Sequence, residues 1–144
     1  MRLIILALVL LTGCRYHFER LSVTNEYITQ KYLASYHVLT PDPNQCYPPA
    51  GKRMTIHWSL DEEFDCYKHV ELNVVIRLKT RELDEFVIPV ETPSGYYIYD
   101  LLNDDYYCSG GILTYKIEMI ADGAIIDDYT HALWAELIEF NIEE

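Results

Sequence analysis

Apolar and polar residues alternate with a period of two over most of the chain after residue 31. In "KRMTIHWSL", Met54, Ile56, Trp58 and Leu60 alternate with Thr55, His57 and Ser59, the pattern of a half-buried strand. "HVELNVVIRLK" sets Val70, Leu72, Val74, Ile76 and Leu78 against Glu71, Asn73, Arg77 and Lys79. "YLASYHVL", "FVIPV" and "YYIYDLL" read as further strands, and Pro89 confines "FVIPV" to a sheet edge. In "ILTYKIEM", Leu113, Tyr115, Ile117 and Met119 are expected on one face. Asp122-Gly123 marks a tight hairpin, because a type I′ turn needs positive φ at both central residues. Leu133 to Ile142 is expected to continue as strand, with a short helix as the alternative.

Turn signals separate these runs: "TPDPN" with "CYPPAG", the acidic "DEEFDCYK", "RELDE", "ETPSG" and the loop "NDDYYCSGG". Seven or eight strands with turns every eight to twelve residues predict an all-β sandwich. Trp58, Val74, Ile76, Tyr115 and Ile117 are expected in one core. Residues 15–31 lack this alternation and read as a polar tether with a helical turn near Thr24 to Gln30.

The N-terminus follows different rules. Met1-Arg2 precedes an apolar run from Leu3 to Leu11, then Thr12-Gly13-Cys14. Nine helical residues rise only about 13 Å, and a bilayer core needs about 30 Å, so the run does not span. A charged start, a short apolar stretch and small residues at its end describe a signal peptide. Leu11-Thr12-Gly13-Cys14 resembles the lipobox of bacterial lipoproteins. That resemblance implies cleavage before Cys14 and a diacylglycerol, with a further acyl chain such as palmitate, on Cys14. It implies a membrane-anchored cell-envelope protein. Arg15 in place of Asp leans toward the outer membrane. The expected organisation is a signal peptide over 1–13, a lipidated tether over 14–31 and a sandwich domain over 32–144.

Within that domain "MTIHWSL" resembles the second strand of fibronectin type III domains, where a Trp anchors the core. "YKIEMIADG" resembles their sixth strand and the turn after it. The resemblance implies an immunoglobulin-like or fibronectin type III-like sandwich. One departure is visible: Leu102 and Tyr115 are separated by a long loop holding Cys108, where that family has a tight corner. Taken whole, the mature chain also resembles small chlamydial lipoproteins, and that resemblance implies no activity.

Charge narrows the partners. The chain carries a formal net charge of −12, and loss of Arg2 with the signal peptide leaves −13, ten cations against 23 acids. Such a surface repels phosphate backbones and anionic headgroups, so nucleic acid is not an expected partner. Thirteen tyrosines suit half-buried strands, and also contact surfaces.

Candidate chemistry is sparse. His17, His37, His57, His69 and His131 show no ligand pair at i, i+2 or i, i+4 within one element, so no metal site is expected. The acidic runs at Asp61 to Asp65 and Asp100 to Asp105 lack the ordered spacing of a calcium loop and read as solvated charge. Cys66 has Lys68 and His69 beside it, but also Glu63 and Asp65, so no activated thiol is expected. There is no G-x-S-x-G and no phosphate loop. No cofactor is implied, and an enzyme is not the expected reading. A binding or structural module engaging an envelope protein or glycan is expected. The alternative is a metal-handling or redox-linked periplasmic lipoprotein, resting on the histidines and the odd cysteine.

Three cysteines remain after Cys14. In a sandwich, successive loops alternate between the two ends. Cys46 and Cys108 then share one end and Cys66 lies at the other, roughly a strand length of ~20 Å away. A Cys46–Cys108 disulfide is therefore expected, with Cys66 free or pairing between molecules. The alternative is three reduced, buried thiols.

Overall fold

Met54 and Ile56 on one sheet, and Leu72, Val74, Ile76, Ile117 and Met119 on another, are all fully buried against each other. They occupy alternate positions of three strands, because a pleated strand sends successive side chains to opposite faces. The computed structural model describes residues 20–135. The readings at residues 1–14, with His17, lie outside the described residues, as does the expected strand beyond Ala135.

Among the described residues seven strands form two antiparallel sheets: β1 (Leu21–Ile28), β2 (Gly51–Ser59), β3 (Val70–Leu78), β4 (Leu83–Pro89), β5 (Ser94–Leu102), β6 (Ile112–Ala121) and β7 (Ala124–Thr130). The first sheet has the order β1-β2-β5, and the second β4-β3-β6-β7. The chain is an all-β sandwich, and this order agrees with the fibronectin type III-like arrangement expected from β2 and β6. Pro89 lies on an edge strand, where its missing N–H breaks no central ladder. Asp122 and Gly123 take φ of 49° and 85° and join β6 to β7 in a two-residue turn. The Asp122 carboxylate also accepts hydrogen bonds from the backbone N–H groups of Lys68 and His69.

Several expectations are corrected. Residues 21–28, read as tether with a helical turn, form β1, so the sandwich begins well before Tyr32. β1 pairs with β2 over its whole length. Its interior is exposed and only Leu21 and Ile28 are buried, so its composition resembles a tether while its backbone satisfies a sheet. Residues 32–39, read as strand, instead run from a 3-10 turn (Gln30–Tyr32) into the short helix α1 (Ala34–Val38). Among the described residues no strand lies beside this segment, so its polar backbone closes locally, with Tyr36 N–H donating to the Leu33 carbonyl. The "NDDYYCSGG" loop is largely helix α2 (Asn103–Ser109). Asp104 and Asp105 sit in its first turn, where the helix dipole favours negative charge, and Gly110 closes it in the left-handed region.

Leu113 does not share the face of Tyr115. The β3–β6 register skips between Arg77↔Thr114 and Leu78↔Ile112, leaving Leu113 as an extra residue. This bulge flips the alternation: Ile112 and Thr114 are buried while Leu113 is exposed. Trp58 packs on the rim of the core, half-buried, with its indole N–H donating to the Thr92 carbonyl at 3.1 Å. Tyr115 is buried, stacks on Tyr129, and its hydroxyl accepts from the Asn25 amide at 2.9 Å, tying β6 to β1 of the other sheet.

Cys46, Cys66 and Cys108 are all free and exposed, so the expected Cys46–Cys108 bridge is not formed in this structure. The end assignment behind it does agree with the topology. Gly51 pairs with Leu102, and Asn103 N–H donates to the Ala50 carbonyl at 2.7 Å, so the segments holding Cys46 and Cys108 leave from one end. Cys66 follows the opposite end, where Ser59 pairs with Ser94.

Candidate functional site: an open strand edge beside an acidic cavity

A two-sheet sandwich has four edge strands, and each must avoid unplanned pairing. β1 carries Glu26 mid-strand, β4 carries Asp84, Glu85 and Pro89, and β7 carries Asp127 and Asp128. β5 differs. From Gly95 to Tyr99 it is uncharged and free of proline, and its first charge is Asp100. Among the described residues it pairs only with β2. Tyr96 is 64% exposed, and Tyr97 and Ile98 also stand open to solvent.

The inner face of β5 meets β4 of the other sheet through side chains. Phe86 contacts Tyr97 at a centroid distance of 5.6 Å and stacks nearly parallel on Tyr99 at 5.8 Å. The Tyr99 hydroxyl donates to the Asp84 carboxylate at 2.8 Å. Burial first, and then this carboxylate, push the Tyr99 phenol well above its ordinary pKa. Tyr99 therefore stays a donor across the physiological range, and the pair holds β4 against β5.

Where β5 runs into α2, the gap between the sheets opens into a cavity of about 830 Å³. Glu82, Asp84, Asp100 and Asp105 line it, with Tyr99 and Cys108, over apolar wall from Leu78 and Leu101. No Lys or Arg lines it among the described residues. The Asp100 carboxylate itself turns to the outer face of the first sheet, where Arg53 Nε and Nη2 each donate to it at 2.7 Å. That two-point contact lowers the Asp100 pKa below the usual carboxylate value. In β-register Arg53 also lies between Asp100 and Glu26, and the Tyr32 hydroxyl donates to Glu26.

The other sequence candidates stay apart. Among the described residues no three His, Cys, Asp or Glu side chains come together as a metal-holding group. His57 packs beside Tyr96 on the outer face of the first sheet. His69 faces Glu71 at 3.2 Å, and His131 packs on Tyr115. Glu63 of the first acidic run pairs with Arg20 at 2.8 Å, at the end away from the cavity. The second run contributes Asp100 and Asp105 to the cavity. Sequence reasoning missed Glu82, Asp84, Phe86 and Tyr99. The available signal was the uncharged aromatic strand "GYYIY" itself, which lacks the gatekeeping charge of the other edges.

No family model matches the chain, and no curated protein matches it. Among solved structures, an X-ray structure of a Northeast Structural Genomics Consortium target aligns over 87% of this chain and 96% of its own, at 13% identity and a TM-score of 0.34.

Proposed function

We propose that this is a lipid-anchored envelope protein that acts by binding, not by catalysis, and that its sandwich engages an envelope partner through the β5 edge. The observation that carries the reading is β5 itself: an exposed edge strand whose Gly95–Tyr99 stretch has no charge and no proline. Such edges recruit extended segments through main-chain hydrogen bonds, with side-chain pockets adding specificity.

The anchor and the edge are geometrically compatible. The lipobox-like Leu11-Thr12-Gly13-Cys14 puts the lipid on Cys14. Seven peptide steps to Leu21 span at most ~25 Å. Leu21 pairs with Trp58, so β1 starts at the Cys66 end of the sandwich. The membrane then lies near that end, with the outer membrane favoured. The cavity and α2 face away from it, and the net charge of −13 left after cleavage keeps the domain off anionic headgroups.

Radiolabelled palmitate tests the anchor: label is expected on the native chain and absent from Cys14→Ala. A pull-down from detergent-solubilised envelope tests the edge. The native chain is expected to capture a partner that Ile98→Lys loses, since a Lys placed on the edge blocks strand addition. Equal capture by both would overturn the edge assignment.

A further inference from the structure

The β5 edge and the acidic cavity adjoin each other, and together they constrain the chemistry of what docks. The strand offers a pairing edge nine residues long. At its C-terminal end the cavity presents Glu82, Asp84 and Asp105, while the Asp100 carboxylate turns to Arg53 on the outer face. The cavity walls include the apolar side chains of Leu78 and Leu101. Tyr99, stacked on Phe86, adds an aromatic ring to its lining. Apolar walls suit the aliphatic stem of a long basic side chain, and carboxylates and ring faces suit its charged head.

We propose that the β5 edge takes an extended basic peptide segment by strand addition, with a Lys or Arg side chain of that segment entering the acidic cavity. This rests on the binding-module reading above and adds the charge of the partner. Complementarity selects this occupant over a second copy of the chain, because two strongly acidic molecules would bring like cavities together. It also disfavours an acidic segment, since a carboxylate entering the cavity would meet Glu82, Asp84 and Asp105 in its lining. Glu82 and Asp105 are exposed, and their role is to draw the basic side chain in and retain it.

Two labelled peptides test this on the full-length chain in mild detergent: Arg-Val-Thr-Val-Thr-Val-Arg, and the same peptide with both Arg replaced by Glu. Fluorescence anisotropy reads affinity, and hydrogen exchange reads which amides become protected. The Arg peptide is expected to bind saturably, to protect amides within residues 94–102, and to weaken with added salt. The Glu peptide is expected not to bind. The double variant Glu82→Gln, Asp105→Asn removes two exposed carboxylates outside the core, and is expected to weaken the Arg peptide about tenfold. Thermal melts would show that the variant is folded. Equal binding of both peptides with protection of β5 would overturn the basic-partner inference and leave the edge reading standing. Unchanged Arg-peptide affinity in the double variant would do the same. Protection outside β5, or no binding by either peptide, would overturn both.

Discussion

Gly95 lies against the ring of Trp58, and a Cβ at that position would come within 2.4 Å of Trp58 Cζ2. The absence of a side chain on β5 is what lets the half-buried indole lie flat across the neighbouring strand. Gly95→Ala is expected to displace Trp58 and cost about 1–3 kcal/mol. Trp58→Ala alone should cost about 2 kcal/mol, in line with half burial of an indole. In a double-mutant cycle followed by denaturant unfolding, the Gly95→Ala loss should largely vanish in the Trp58→Ala background. A loss unchanged in that background would place the strain in the backbone instead. Arg53 and Asp100 make a second residue-scale prediction. Arg53 lowers the Asp100 pKa, so the folded state releases this proton more readily than the unfolded chain. The stability gained is present above the ordinary carboxylate pKa and is lost as pH falls through the lowered folded value. Melts between neutral pH and about pH 2 should show a smaller acid loss for Asp100→Asn than for the native chain. An identical acid profile would mean that the pair contributes nothing to folding.

At the scale of the element, β6 shows how one inserted residue re-addresses a strand. Ile117 is fully buried, while Leu113, four positions earlier and expected on the same face, is exposed. The bulge opposite Arg77 and Leu78 separates them. Leu113→Thr should therefore change stability by less than about 0.5 kcal/mol. Ile117→Ala should cost about 2–5 kcal/mol by opening a cavity in the core. Comparable losses at the two positions would contradict the bulge. α1 and α2 make the complementary point. Both are short, and both occupy segments with no strand partner among the described residues, so their backbone groups are satisfied by helical turns instead of ladders.

Across the whole molecule, the two ends of the sandwich separate the cysteines. β2 and β3 are each nine residues long, and strands of that length reach ~30 Å. Cys46 and Cys108 follow one end and Cys66 the other, whereas a disulfide needs Cα atoms within about 7 Å. All three thiols are exposed. Alkylation of the native chain without reductant, followed by peptide mapping, should label all three and yield no intramolecular Cys66 bridge. A Cys66–Cys108 or Cys46–Cys66 peptide from dilute protein would overturn the topology.

Strands β2, β3 and β5, most of β6 and the Asp122-Gly123 turn were legible in the sequence, because each buries one face and burial writes period two into composition. The edge position of β4 was legible in Pro89. From those elements the sandwich follows, since two half-apolar sheets have only each other to cover. β1 was not legible. It is held by backbone pairing with β2, and backbone hydrogen bonds leave no mark on side-chain composition. α1 resembled a strand because alternation among exposed residues looks the same as alternation across a sheet until a neighbouring strand is present or absent. The bulge at Leu113 was likewise hidden, since register belongs to a pair of strands and not to one. The cavity is the clearest case. Glu82 and Asp84 precede Asp100 and Asp105 by some twenty residues in the chain. They line one space because β4 and β5 belong to different sheets whose open edges lie side by side. Tertiary packing alone turned two unremarkable acidic turns into a single charged cavity beside an unguarded strand.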